Sequence, residues 1–524
     1  MTTQRHQIQR QIFEFEVSNQ EAALHLHATL AALQNEGLED LIDRCCTEMS
    51  SPDRVHRIAK LEIDLGELRT KDLARVLPAK LIAELRNVLA TKIQKAEEEA
   101  ARLGEDPATN ARLELISLFA RTGNLPFWAD AANPQLVDET MHRLLRRDER
   151  EIAALVRWLA RDPRTLARLA QHTEPERSLA LFRALVHSAA RIAVEARSSE
   201  IWSFLGSLGT LSPKVPPTFA WVGVLQSAAL RPHLADTPGE FWRDTLAHVA
   251  MALGLPYQEL VMRIEWTIGK TQQSGFEALL QAIANELVGP EQPIRPNAAR
   301  TPAADAPSSS SPVNSGNDDP HSSHYDITSP NVAQNEQDLV APNLPPPAPL
   351  ALGDDPDEAY IDSAGLVLLW PFVPTLFDRL GLLLEQKKFT AENARQRAIA
   401  LVHYLATGEL HPPDFRLPLA KVLCGASVND VFDRELDLTE NEMGEATNVL
   451  VAALEHAKSL GAMEPGAFQA AFLRRRGVLS VQGGTWLVRV ERAPYDAVLQ
   501  HLPWALQWIR FPWMQAPLCV EWPR

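Results

Sequence analysis

Phe472 to Val490 reads "FLRRRGVLSVQGGTWLVRV". This stretch decides the fold class, because a helical pattern stops in it and a strand pattern starts. Three arginines, Arg474–Arg476, follow the apolar pair Phe472-Leu473. With Gly477 behind them, they read as a charged last helical turn closed by a glycine at C′. From Val478 onward the period drops to two. "VLSVQ" and "TWLVRV" flank Gly483-Gly484, the residue type a two-residue hairpin turn needs because its centres take positive φ. Trp486, Val488 and Val490 then share one face. A helix that runs into a hairpin predicts an α+β module.

The surroundings extend that module over residues 358–524. "DLTENEM" opens a helix with a capping box, Thr439 with Glu442. "SAGLVLLWPFVPTLF", Ser363 to Phe377, is uncharged and apolar. It is shorter than the about 20 residues a spanning helix needs and carries two prolines, so it reads as buried core. The tail "LPWALQWIRFPWMQAPLCVEWPR", Leu502 to Arg524, holds four of the twelve tryptophans: Trp504, Trp508, Trp513 and Trp522. Prolines 503, 512 and 517 forbid one continuous helix there. "LCVEW" alternates as a closing strand, with Val520 and Trp522 on one side and Cys519 and Glu521 on the other. The tryptophans either fill the module's core or form an exposed docking patch, a use for which tryptophan is favoured.

Upstream, residues 290–357 change character. They hold 14 of the 38 prolines, with "SSSSP" and "NLPPPAPL" among them. Such a stretch buries too little apolar surface to offset its ordering entropy, and is expected to be a disordered Pro/Ser-rich linker. Residues 107–289 read as successive amphipathic helices without a strand, an all-α domain. Residues 1–103 mix both. "RQIFEFEV" alternates Phe13, Phe15 and Val17 against Glu14 and Glu16. "KLEIDLG" alternates Leu61, Ile63 and Leu65 against Glu62 and Asp64. Helical runs lie between and after them, so a β-α-α-β-α module with a two-stranded sheet is expected. The chain as a whole is predicted mainly α with small β elements.

The bulk numbers agree with a large globular protein. Its 524 residues are 45% hydrophobic and 23% charged, with a net charge of −16. That balance argues against nucleic acid and anionic membrane surfaces as general partners. The opening residues carry no apolar core of a secretory signal. Four cysteines without CxxC spacing suit folding in a reducing compartment.

Chemistry-bearing motifs are sparse. "TIGKT" (267–271) lacks the glycine that a phosphate-binding loop needs at Ile264. His25 and His27 splay to different sides of a helix. His321 and His324 lie in the linker with no further ligand. Glu14, Glu16, Glu62 and Asp64 read as a solvated sheet face. No residue is singled out for catalysis, a cofactor or a metal.

Several segments carry a family resemblance. "HQIQRQIFEFEV…DRVHRIAKLEIDLGEL", "RTGNLPFWAD", "SAGLVLLWPFVPTLFDRLGLL", "RAIALVHYLATGE", "LPLAKVLCG", "FLRRRGVLSVQGGTWLVRVERAPYDAVLQHLPW" and "FPWMQAPLCVEW" occur in that order. Together they resemble the contractile injection system tape measure proteins, which accompany phage-tail-like particles. The resemblance covers about residues 1–130 and 358–524. It implies a structural assembly role, setting tube and sheath length or nucleating the tube on the baseplate, with no catalysis and no cofactor. Tube and baseplate proteins are the implied partners, and cargo is a further one. The implied location is cytoplasmic during assembly and then within the released particle. A cargo-loading adaptor or assembly chaperone is the alternative, and a cargo toxin a third.

Overall fold

Proline opens helix after helix in the central region. At the first turn its missing N–H costs nothing and its φ is already helical. Pro107, Pro163, Pro175 and Pro238 do this. Asp106 and Asp162 add side-chain caps, accepting from the backbone N–H of Ala108 and Arg164. The computed structural model describes residues 6, 8, 11–17, 26, 30, 37–50, 54–68, 73–103, 106–187, 191–211, 217–271, 358–385, 387–461 and 463–522. The linker 290–357, the helical run after Thr271, and His25, His27, His321 and His324 fall outside them.

The described helices before the linker are α1 (Leu38–Met49), α2 (Leu73–Leu103), α3 (Pro107–Thr122), α4 (Leu136–Arg147), α5 (Glu149–Leu159), α6 (Pro163–His172), α7 (Pro175–Leu185), α8 (Arg191–Leu211), α9 (Pro217–Leu230), α10 (Pro238–Leu253) and α11 (Tyr257–Thr271). From α3 to α11 they surround one apolar core that includes Phe119, Met141, Phe182, Phe204, Phe241 and Trp242. The run "ERSLALFRALVHSAARIAVEA" is two helices, α7 and α8, rather than one.

The expected two-stranded sheet near the N-terminus is absent among the described residues. Residues 11–17 and 54–68 are assigned no strand. Their alternation is still expressed in burial: Phe13, Phe15, Leu61, Ile63 and Leu65 are half-buried, while Glu14, Glu16, Glu62 and Asp64 are exposed. Phe13, Leu61, Ile63 and Leu65 rest on Leu38, Ile42, Leu81 and Leu85 of α1 and α2, and Phe15 rests on Leu26 and Leu77. Val17, expected on the same side as Phe13 and Phe15, is instead exposed, and no ladder joins the backbones among the described residues.

After the linker come α12 (Val373–Arg379), α13 (Glu392–Thr407), α14 (Pro418–Leu423), α15 (Glu440–His456) and α16 (Pro465–Phe468). Five strands accompany them: β1 (Glu358–Ile361), β2 (Gly477–Gln482), β3 (Thr485–Val490), β4 (Trp508–Ile509) and β5 (Leu518–Glu521), in sheet order β1-β2-β3-β5-β4. The hairpin is as expected: Gln482 pairs with Thr485 around Gly483 and Gly484, both at positive φ (56° and 79°). The closing strand is also present, with β5 parallel to β3 and Val488 opposite Val520. Ala364–Leu369, the centre of the long apolar stretch, is fully buried. The capping box at Thr439 is formed in full.

One local reading of the opening stretch is corrected. Gly477 is not a helix cap. The helix gives way to a wider π turn over Gln469–Leu473, and Gly477 is the first residue of β2. Glycine fits there because a Cβ would lie 2.5 Å from the Arg489 carbonyl oxygen and 2.8 Å from Ala364 Cβ. Nor are all three arginines solvated. Arg475 is buried, donating to both oxygens of Asp496 at 2.7 and 3.1 Å, with its guanidinium over the Tyr495 and Trp522 rings.

Candidate functional site: a buried ion cluster joining distant motifs

Residues 1–285 and 355–524 form one compact unit. The side chains that tie its central helices to its C-terminal part are charged and almost wholly buried. Arg168 of α6, Asp414, and Lys421 of α14 are each 1% exposed. Arg168 Nε donates to Asp414 Oδ2 at 2.6 Å, and Lys421 Nζ donates to Asp414 Oδ1 at 2.6 Å. The remaining donors are also occupied. Arg168 reaches the carbonyls of Ala120 and Asn429, both at 2.6 Å. Lys421 reaches those of Val428 at 3.0 Å and Asp430 at 2.7 Å. Such satisfaction is what makes a buried charge tolerable.

His172 completes the cluster, one helical turn after Arg168. Its Nε2 accepts from the backbone N–H of Asp414 at 3.0 Å, and its Nδ1 is 2.9 Å from the Arg168 carbonyl. A ring that accepts at one nitrogen and donates at the other is the neutral tautomer. Burial accordingly lowers its pKa to about 4, against the pull of Asp414. For Asp414 itself, burial works to raise the pKa, but the cationic Lys421 and Arg168 together hold it below the carboxylate range. Lys421 is lowered by burial, with Asp414 opposing.

The backbone is shaped to admit this carboxylate. Gly123 ends α3 at φ 78°, and a Cβ on it would lie 2.7 Å from Asp414 Oδ2. Around the ions, Phe415 joins the helical core and meets the Phe119 ring edge-on at 6.1 Å. Arg416 donates to the carbonyls of Ala131 (3.1 Å) and Ala132 (2.7 Å). The arrangement is a clasp. Arg168, Asp414, Lys421 and His172 each spend their polar groups on other protein groups.

This clasp was not singled out from the sequence. Two of the family-marking motifs do meet in it: Gly123 lies in "RTGNLPFWAD" and Lys421 in "LPLAKVLCG". The residues that were singled out, the four tail tryptophans, divide. Trp504, Trp513 and Trp522 are half-buried against the C-terminal core. Trp513 stacks on Phe511 at 4.9 Å and donates to the Leu423 carbonyl at 2.9 Å, while Trp504 meets Phe372 edge-on at 5.4 Å. Trp508, on the edge strand β4, is 59% exposed. "TIGKT" lies inside α11, not on a strand-to-helix loop. No group of three or more metal-ligating side chains occurs among the described residues.

A family model for the contractile injection system tape measure protein matches residues 5–522. The chain belongs to that family. The match extends over the central helices and the linker, which carried little of the resemblance in the sequence. The tape measure family is structural. No curated protein and no solved structure matches the chain. No helix among the described residues is long and apolar enough to cross a membrane.

Proposed function

We propose that this chain sets the length of the tube and sheath during assembly of a contractile injection particle. The family match over residues 5–522 carries the reading. The buried clasp supports it, since Arg168, Asp414 and Lys421 are spent on holding distant segments together. In this reading the working division is 1–103, 107–289, 290–357 and 358–524, with 107–289 and 358–524 acting as one body. The partners are the tube and baseplate proteins. Assembly takes place in the cytoplasm, and the four tail tryptophans contribute one outward contact, Trp508. A cargo-loading adaptor would be served by two separate globular ends on a flexible linker, whereas the clasp ties the central helices to the C-terminal part.

Particles assembled with residues 300–340 deleted or duplicated, and measured by electron microscopy, test the proposal. Length should fall with the deletion and rise with the duplication. Particles of unchanged length would count against measurement by this chain. Recovery of the chain only in producer cytoplasm, bound to cargo, would favour the adaptor.

A further inference from the structure

The N-terminal extended segments present an anomaly of backbone accounting. Residues 11–17 and 57–65 have the alternating sequence pattern of strands, and burial alternates with it over 12–16 and 61–65. Among the described residues, none of their backbone groups bonds to another backbone group. Strand-like chain with an unpaired row of N–H and C=O groups is the template that strand addition uses.

The two segments are neighbours. Phe13 of the first packs on the same apolar cluster as Leu61 and Ile63 of the second, and Phe15 shares a second cluster with Leu65. Their failure to pair has a physical reason in their outward side chains. Glu14 and Glu16 on one, with Glu62 and Asp64 on the other, bring carboxylates together, which weakens a ladder, and Lys60, paired with Glu62, offsets only part of that charge. The same repulsion disfavours pairing with a second copy of this chain. It favours a strand of opposite sign.

We propose that residues 11–17 and 57–65 form a docking edge for an extended strand of a partner protein, with alternate residues apolar and basic. Its apolar side chains continue the face made by Phe13, Phe15 and Ile63 on α1 and α2. Its lysines or arginines meet Glu14, Glu16, Glu62 and Asp64. The inference stands apart from the length-setting role.

The test uses the full chain and a short fluorescent peptide of alternating valine and lysine. Binding should raise its anisotropy, weaken with added salt, and slow amide hydrogen exchange at 12–17 and 58–65. A peptide methylated at alternate backbone nitrogens should bind at least about tenfold more weakly, as each lost ladder bond predicts. So should the unmethylated peptide to a Glu14→Lys/Glu16→Lys variant, whose changes are on exposed positions and leave the melt unchanged. Equal binding of the methylated peptide would reduce the contact to charge alone and overturn the proposal. Absence of binding, or amides already protected in the free chain, would also overturn it.

Discussion

The hairpin Gly477–Val490 and the pair of segments 11–17 and 57–65 have the same period-two pattern and reach different ends. In the hairpin, Gly483 and Gly484 turn the chain back on itself, and six residue pairs follow in register. The N-terminal segments are about 40 residues apart in sequence, with helix α1 between them. They bury the same kind of apolar face without a ladder. Alternation therefore specifies which side chains go inward. It does not specify what the backbone bonds to; a tight turn does, because it brings the partner with little loop-closure entropy.

The largest effect should come from removing the hairpin's other neighbour. Truncation before Phe511 deletes Phe511, Met514, Leu518 and Val520, all buried, and strips β5 from β3. Each such loss costs about 2–4 kcal/mol, and together they rival the about 5–15 kcal/mol that holds a typical domain. The full chain should lose amide protection at 477–490 while exchange at 11–17 stays as it was. Retained protection in the hairpin would mean that the turn alone suffices.

Next in size is the clasp, where distant segments are joined by charge instead of a ladder. Asp414→Ala leaves Arg168 and Lys421 buried without their carboxylate. It should destabilise by about 3–5 kcal/mol in chemical denaturation. A loss under about 1 kcal/mol would show that water or rearrangement compensates.

The same cluster predicts a pH response. His172 is held neutral, with a pKa near 4 in the folded chain against 6.5 unfolded. The unfolded state therefore binds the extra proton first. Stability from this group is full above about pH 6.5 and falls by roughly 3 kcal/mol on reaching pH 4. His403, lowered to about 3 chiefly by burial, adds in the same direction. Melting temperatures across this range should drop less steeply in His172→Gln than in the parent. Equal slopes would remove His172 as a cause.

The smallest test returns to the turn. Gly484→Val forces a branched side chain to φ 79° and should cost about 1–2 kcal/mol. A cost near zero would mean that sheet neighbours, and not the turn, impose the hairpin.

These contrasts also mark what the sequence made legible. The Thr439–Glu442 box, the hairpin and the β5 strand were readable because each is decided within a few residues. β1 was not: four residues at the sheet edge find their partner at Gly477–Ser480, more than a hundred positions later. The clasp was hidden for a similar reason. Arg168 and Asp414 lie 246 residues apart, and a charged residue on an amphipathic helix reads as solvated until its partner is known. Gly123 was the available clue, a helix-ending glycine inside a family-marking motif. The tail tryptophans stand out in the sequence, but their number gives no way to separate Trp508 from the three that pack inward.

The clasp has a consequence for any ruler. Because Arg168 grips Asp414, the chain before the linker and the chain after it belong to one body. A tether held at one end spends its whole contour on distance, whereas a loop held at both ends spends it twice, outbound and returning. The 69 residues from Glu286 to Asp354 then reach at most about 110 Å, half their extended length. Deleting residues 300–340 would shorten a single-pass ruler by about 130 Å but a looped one by about 65 Å. The particle's length change per residue therefore reports whether the clasp stays shut while the tube is built.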